Sequence, residues 1–573
     1  MNSIFSALQQ ADKTYLYVYQ SVLRYALPLL AAFLLLRCIR PLLTFRREPE
    51  IWAWLCLSKT KKLPITHWES VIGRSKRSDV VIDVPTISRN HAVLTRYDDG
   101  SWTIADAGSK SGTLVNGEVV DICPLEPDDI ITIGGVEMNL QPITHRQEMR
   151  LSQLRTRATS PVSSVTNLLI LTIIQFLLCF SYIFAGDALW GSNIFAGFLG
   201  ICICQWAMLI FYLIIRKPSF EMETMAFFLC TLGMVAIAAV KPSETVKQLI
   251  ATVLGLTLFL GLGFVLRDLE RAKSIRYAAA FAGVLLLLVT LVFGKEYHGA
   301  KNWLVIGSMS IQPSELSKVC FVFVGASTLD RLVNRRNLIL FIIYTGLICV
   351  CLAIMNDFGT ALIFFVAFLL IAYLRSGSIG TIALACSSVG FAGVLAVRIA
   401  PHALRRFESW RHIWEVPLNA GYQQTRALMC IASGGLLGLG AGRGWMKRIF
   451  AADSDVVIAT LAEENGLILC FMAVVCVLVL GLFSLRAAAI GRSSFYTISS
   501  CTAAGIYLVQ TILNVLGTVD LLPLTGVTFP FLSNGGSSMI CAWGLLAFIK
   551  AADTRQNASF AVRQTKEGRG DHA

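Results

Sequence analysis

From Val165 onward the chain is a near-continuous succession of apolar runs, roughly 166–187, 194–216, 223–240, 246–266, 278–294, 313–330, 337–355, 359–374, 380–399, 457–485, 495–518 and 537–550. Most approach the ~20 residues that carry a helix across about 30 Å of hydrocarbon. Inside a bilayer, backbone polar groups find partners only within helices or closed barrels, so this pattern restricts the region to a polytopic helical bundle. Another apolar run, residues 22–44, brings the expected spans to about thirteen. Composition agrees, with 55% hydrophobic and only 15% charged residues. The formal charge of +13 would suggest nucleic acid in a soluble chain. Here Lys and Arg fall in short turns between apolar runs, where they orient helices and face anionic lipid, so no nucleic-acid partner is expected. Most of the 16 cysteines sit inside apolar runs without CxxC pairs and read as small hydrophobes.

Charge also orients the spans. Arg37, Arg40, Arg46 and Arg47 follow the first run, which leaves the N-terminus outside and residue 48 onward in the cytoplasm. With no small-residue cleavage site after it, residues 1–47 read as a retained anchor. Counting from a cytoplasmic residue 165, every inward turn is basic, ending with the tail 553–573. The same count gathers 295–312, the end of span 337–355, 401–455 and 519–536 on the outer face. The stretch 401–455, within an expected large loop 400–456, is the only long polar segment between spans. Connections above about 15 residues are usually functional or disordered, and Trp410, Trp414 and Trp445 argue against disorder. It carries cations (Arg405, Arg406, Arg411, Arg426, Arg443, Lys447, Arg448) and acids (Glu408, Glu415, Asp453, Asp455), a set suited to an anionic substrate.

Residues 50–142 differ in kind, with short alternating runs separated by Gly, Asp and Asn turns, the pattern of a small all-β sandwich. Within them Gly73-Arg74-Ser75, Ile87-Ser88-Arg89-Asn90-His91-Ala92, Gly108-Ser109-Lys110-Ser111-Gly112-Thr113 and Asn116-Gly117 resemble the forkhead-associated (FHA) domain, which binds phosphothreonine peptides. The resemblance implies a domain over 48–142 in which Arg74 and Ser88 grip the phosphate, with Arg89 beside them. A guanidinium fork and a hydroxyl suit that dianion. The FHA family usually carries Asn at Ser111, which contacts the peptide next to the phosphothreonine; His91 reads as structural. The implied partner is a threonine-phosphorylated protein, hence a Ser/Thr kinase pathway. Residues 143–164 form a basic, Ser/Thr-rich linker.

A second resemblance covers about 223–552. Asn302-Trp303, Gln312-Pro313-Ser314-Glu315 with Lys318, Asn356-Asp357-Phe358-Gly359-Thr360, Gly421-Tyr422-Gln423 with Ser433-Gly434-Gly435, Asp455 with Glu463-Glu464-Asn465-Gly466, and the stretch Thr525 to Ser538 (TGVTFPFLSNGGSS) are similar to the FtsW/RodA/SpoVE (SEDS) family. The implied fold is a polytopic α-helical membrane protein with a ten-span core over 218–552, an extra hairpin over 165–217, and the sandwich inserted after the first span. The implied activity is a peptidoglycan glycosyltransferase reaction: polymerisation of lipid II at the outer membrane face beside a class B penicillin-binding protein, with a divalent cation (Mg2+ or Mn2+) or cationic side chains neutralising the pyrophosphate. Division, elongation and sporulation stay open, and so do a lipid II flippase and a catalytically weak scaffold.

Matching positions give Asp455, Glu315 and Lys318 as catalytic candidates, since charges inside a span are costly. They give Trp303, Gln312, Ser314, Asp357, Arg405, Gln423, Ser433, Lys447, Glu464, Ser533 and Ser537 as substrate-binding candidates. Glu315 and Lys318, one turn apart, have a buried structural ion pair as their alternative reading, and Asp357 has that of a helix N-cap. The SEDS family generally writes Pro-Glu-x-x-Thr-Asp-Phe where this chain has Ala451-Ala452-Asp453-Ser454-Asp455-Val456, so Asp453 stays an alternative base.

Overall fold

The computed structural model describes residues 13–44, 51–376 and 407–559 apart from short stretches (58–60, 77, 98–99, 145, 148–149, 151–158, 186–189, 298–299, 307–308, 329–334, 490–492 and 556–557), with scattered positions between 380 and 404. The sandwich has strands β1 (Ala53–Cys56), β2 (Lys62–Ile65), β3 (Glu69–Gly73), β4 (Val80–Val81), β5 (Ala92–Arg96), β6 (Trp102–Asp106), β7 (Thr113–Val115), β8 (Glu118–Val120), β9 (Ile122–Leu125), β10 (Ile130–Ile133) and β11 (Val136–Pro142). They form one sheet ordered β2-β1-β11-β10-β7-β8 and another ordered β4-β3-β5-β6-β9. Alternation decides what is inside: Ile131 and Ile133, two apart on β10, are buried with Ile72, Leu94, Ile104 and Leu140 in a core of the sandwich's own. The Arg96 guanidinium lies 4.8 Å from the ring centres of both Trp52 and Trp68.

The helices are α1 (Lys13–Leu43), α2 (Pro161–Ala185), α3 (Gly191–Ile214), α4 (Glu221–Val240), α5 (Thr245–Val265), α6 (Leu269–Phe293), α7 (Pro313–Thr328), α8 (Arg335–Ile354), α9 (Phe358–Ser376), α10 (Tyr422–Gly434), α11 (Val457–Asn465), α12 (Leu467–Ala489), α13 (Ser494–Thr518) and α14 (Gly536–Ala551). Among the described residues, 10 are long and apolar enough to cross a membrane, and Gly536–Ala551 is a shorter apolar helix. The expected span 380–399 lies largely outside the described residues. The run 457–485, expected as one span, is broken at Gly466 (φ +91), which closes α11 and packs against the Leu436 carbonyl where a side chain would collide. Helix α2 begins at Pro161, four residues before the expected start, with Ser160 accepting from the Ser163 amide.

Membrane helices associate through close packing and interhelical hydrogen bonds. Gly255 on α5 leaves room for Trp543 of α14, which is fully buried among Phe227, Phe259 and Phe531. The hairpin α2–α3 is fastened by polar groups: Gln175 and Gln205 exchange amide hydrogen bonds at 3.0 and 2.8 Å, and Gln175 donates to Thr231 of α4. Near the ends of α4 and α14, buried Lys550 meets Glu223 at 3.0 Å while Arg555 bridges Glu221 and Asp553. Lys550, and Arg555 at the start of the basic tail 553–573, are therefore internal ion-pair members.

The four segments expected on one face do meet. The Lys301 amide donates to the Met355 carbonyl, Asn302 Nδ2 to Asp357, the Gln312 amide to Ser537, Trp410 Nε1 to the Leu521 carbonyl, and Gln424 to the Gly517 carbonyl. A three-stranded sheet, β12 (Lys295–Tyr297), β13 (Ala300–Ile306) and β14 (Met309–Ile311), covers this loop side. The sandwich lies at the other ends of the helices. Glu69 on β3 touches Arg375, near the end of α9, at 3.6 Å and accepts from Ser494, the first residue of α13. Those helices, of 19 and 25 residues, are about 28 and 37 Å long.

Candidate functional site

At one end of the sandwich three loops are pinned together. The Arg74 amide donates to the Ser88 carbonyl at 3.0 Å and the Ser75 amide to the Arg89 carbonyl at 3.1 Å. The Lys110 amide donates to Ser88 Oγ at 3.1 Å and Ser111 Oγ to the Thr86 carbonyl at 3.4 Å. Gly73 is required, because a Cβ there would sit 2.2 Å from the Arg89 carbonyl oxygen. Buried His91 accepts the Ser88 amide on Nδ1 and donates from Nε2 to the Gly112 carbonyl, which fixes its tautomer and ties two loops together. Asp106 accepts from the Gly108 and Ser109 amides and the Ser109 and Thr113 hydroxyls. Burial alone would raise its carboxyl, but the bonds from Ser109, Thr113 and Gly108 outweigh it and hold the group below the ordinary aspartate value. On this frame the Arg74 and Arg89 side chains stand exposed.

On the loop side, Pro313 opens α7 and places Glu315 and Lys318 one turn apart, both buried, with Nζ 2.6 Å from Oε1. The other oxygen of Glu315 and the hydroxyl of buried Ser314 have no hydrogen-bond partner among the described residues. Asp357 does two things. Its Oδ1 accepts the Thr360 amide, capping α9, and its Oδ2 gathers Asn302 at 3.1 Å and Gln312 at 3.2 Å. Ser537 accepts from the Gln312 amide, and Trp303 on β13 is half-buried opposite Lys295.

The two aspartates of 451–456 part company. Asp453 is buried, meets Lys241 at 3.2 Å, and accepts at 2.7 Å from Asn534, which also donates to Glu244. Asp455 is half-buried and lies beside Gly526, whose Cβ position is 3.4 Å from Oδ2. Asn514 of α13 donates to the carbonyls of Asp455 and Val527, and Ser533 donates to that of Ser454. A Cβ at Gly359 would meet the Thr525 carbonyl at 3.0 Å. Residues 525–527 thus run between the start of α9 and Asp455, joining the two halves of the loop-side centre.

Some expected contacts have other work. Glu464 is buried and accepts the Gly444 and Gly442 amides at 3.0 and 3.2 Å, and Glu463 accepts that of Met446 at 2.8 Å. Both glutamates therefore support the glycine-rich loop from the core side. Gln423 donates to the Phe450 carbonyl, exposed Ser433 to the Cys430 carbonyl of its own helix, and exposed Lys447 to the Gly442 carbonyl. Arg405 lies outside the described residues. Lys241, Asn534 and Asn514 join the site through contacts distant in sequence, and of these Asn534 falls inside the stretch TGVTFPFLSNGGSS. No group of three or more His, Cys, Asp or Glu residues suited to a metal occurs among the described residues.

Residues 222–558, more than half the chain, match the model of the FtsW/RodA/SpoVE cell cycle proteins. The chain belongs to this family. Residues 70–134 match the FHA-domain model, so the sandwich is an FHA domain. Among similar proteins, a probable peptidoglycan glycosyltransferase FtsW of Wigglesworthia glossinidia brevipalpis is 30% identical over 52% of this chain and 81% of its own length. The peptidoglycan glycosyltransferase RodA of Mycobacterium tuberculosis is 27% identical over 53% and 69%. A solved peptidoglycan synthase complex that coordinates polymerization and crosslinking matches at 24% identity and TM-score 0.50, covering 58% of this chain and 96% of that one, which establishes the fold of the FtsW/RodA/SpoVE core. Helix α1, the FHA domain and the hairpin α2–α3 precede the matched core.

Proposed function

We propose that the chain is a peptidoglycan glycosyltransferase that polymerises lipid II on the outer face of the cytoplasmic membrane, with Asp455 as general base. The carrying observation is the placement of the two neighbouring acids: Asp453 is fully buried on Lys241 and Asn534, while Asp455 is half-buried beside residues 525–527, which run to the start of α9. In the proposed step the 4-hydroxyl of one lipid II attacks the anomeric carbon of the growing strand. The new C–O bond forms as the bond to pyrophosphate breaks, the lipid pyrophosphate leaves with the electron pair, and the hydroxyl proton passes to Asp455. Exposed Lys447, Arg443 and Arg448 supply positive charge for the leaving group. A Mg2+ or Mn2+ ion would enter on the substrate pyrophosphate, which such an ion commonly holds while keeping several waters, and would neutralise phosphate charge there while Asp455 takes the proton.

The FHA domain takes a phosphothreonine peptide on Arg74, Ser88, Arg89 and Ser111, from a protein modified by a Ser/Thr kinase. Basic inward turns assign it and the tail to the cytoplasm. The Glu69 contacts with Arg375 and Ser494 support a regulatory role, because α9 and α13 reach from there to Asp357 and Asn514. A class B penicillin-binding protein is the proposed crosslinking partner on the outer side. The test is reconstitution of the purified chain with that partner, following labelled lipid II. Glycan strands on a gel are expected; lipid II crossing the bilayer without strands, or neither outcome, would overturn the polymerase reading.

A further inference from the structure

The glycine-rich loop Gly438–Gly444 leads through Met446–Arg448 to Asp455, and its backbone is held from two sides. From the core, Glu463 and Glu464 accept the amides of Met446, Gly444 and Gly442. From the other side comes α1, which lies outside the matched residues 222–558. Arg24 donates from its guanidinium to the Leu439 carbonyl, Gln20 donates to that of Ala441 at 3.4 Å, and the Arg443 guanidinium lies 5.6 Å from the ring centre of Tyr17. Contact is close: a Cβ at Gly440 would lie 3.2 Å from Gln20 Oε1 and 3.5 Å from Arg24 Nη2, and one at Gly442 only 2.8 Å from Ala185 Cβ at the end of α2. Lys447 donates to the Gly442 carbonyl.

Lipid would leave the Leu439 and Ala441 carbonyls unsatisfied, and a charged side chain inside the span Tyr17–Leu43 is costly unless it has a purpose. We propose that Arg24 and Gln20 are positioning residues for the glycosyl transfer: α1 clamps the glycine loop onto Glu463 and Glu464, and the clamped loop sets the path of residues 446–455 and the placement of Asp455. The glycines at 438, 440, 442 and 444 admit the tight turns and close approach but bring no side chains of their own, and Arg24 and Gln20 act on the backbone carbonyls between them. The catalytic half of the inference rests on the polymerase reading; the structural half does not.

Two readouts keep them apart. In the full-length chain with its penicillin-binding partner, Arg24→Ala is expected to speed hydrogen exchange of the 439–446 amides by about tenfold, the loss of one charge-assisted bond. It is expected to lower kcat on lipid II by about tenfold to a hundredfold with KM little changed, as misplacement of a catalytic group does. Arg24→Lys restores part of both, and Gln20→Leu gives a smaller change in the same direction with α1 still inserted. Unchanged exchange in Arg24→Ala and Gln20→Leu overturns the clamp. Faster exchange with an unaltered kcat overturns positioning alone, and faster exchange in a chain whose wild type makes no strands sinks the polymerase reading instead.

Discussion

The FHA loops and the loop-side centre use polar groups in opposite ways. In the FHA domain the backbone is pinned and the arginine tips are exposed, so under the proposed reading the countercharge comes from the ligand. In the loop-side centre the charged groups are largely buried and already answer one another: Glu315 with Lys318, Asp453 with Lys241, Asp357 with Asn302 and Gln312. One surface is built for capture and the other for preorganisation. Truncation should therefore cost affinity in the first and folding in the second.

The largest effect is expected at Glu315. Glu315→Leu leaves Lys318 buried and uncompensated and should cost about 3–5 kcal/mol, while the double replacement Glu315→Leu with Lys318→Leu should recover much of it. Thermal unfolding in detergent checks this; a double variant that regains stability but makes no glycan would add a chemical role to the structural one. Arg74→Ala should lose about 1.5–3 kcal/mol of phosphothreonine-peptide binding, read by calorimetry, with the melting temperature of the chain unmoved. Unchanged affinity would refute capture by the FHA loops. Asp453→Ala should lower stability by about 1 kcal/mol by removing the buried acceptor of one Asn534 N–H, with the half-exposed Lys241 turning to solvent; a neutral result would erase the distinction from Asp455.

The smallest effect concerns pH. The folded Asp106 carboxyl is held below its ordinary value, so its contribution is complete above that value and is lost as pH falls through the folded one. Because the group is partly solvated, the excised residues 48–142 should lose well under about 1 kcal/mol through it. Asp106→Asn should remove that part of the acid dependence of thermal unfolding.

Local geometry was the most legible part of the sequence. Gly73, Ser88, His91 and Gly112 lie within 40 residues of one another, and the turns that join them leave a spacing that survives in the chain. Apolar length likewise gave most helices, because the bilayer imposes it. What escaped depended on distant partners. Nothing near Asp453 shows that Lys241, 212 residues earlier, and Asn534, 81 residues later, engage it. Glu464 reads as available because the residues that fold back onto it, Gly442 and Gly444, precede it by some 20 positions and have no side chains to advertise the contact. The break at Gly466 hid in an apolar run whose hydropathy does not register a positive φ. The strands at 295–297, 300–306 and 309–311 escaped because Trp303-Leu304-Val305-Ile306 is a continuous apolar run, too short to stand apart from the long spans around it.

The central claim is that Asp455, rather than its neighbour, takes the proton of the attacking hydroxyl. The most direct measurement is the single-turnover rate of strand extension on lipid II by Asp455→Asn, which keeps the size of the side chain and removes the base. A fall of at least about a hundredfold with unchanged thermal stability is the result expected of a lost general base; extension at the wild-type rate would contradict the account.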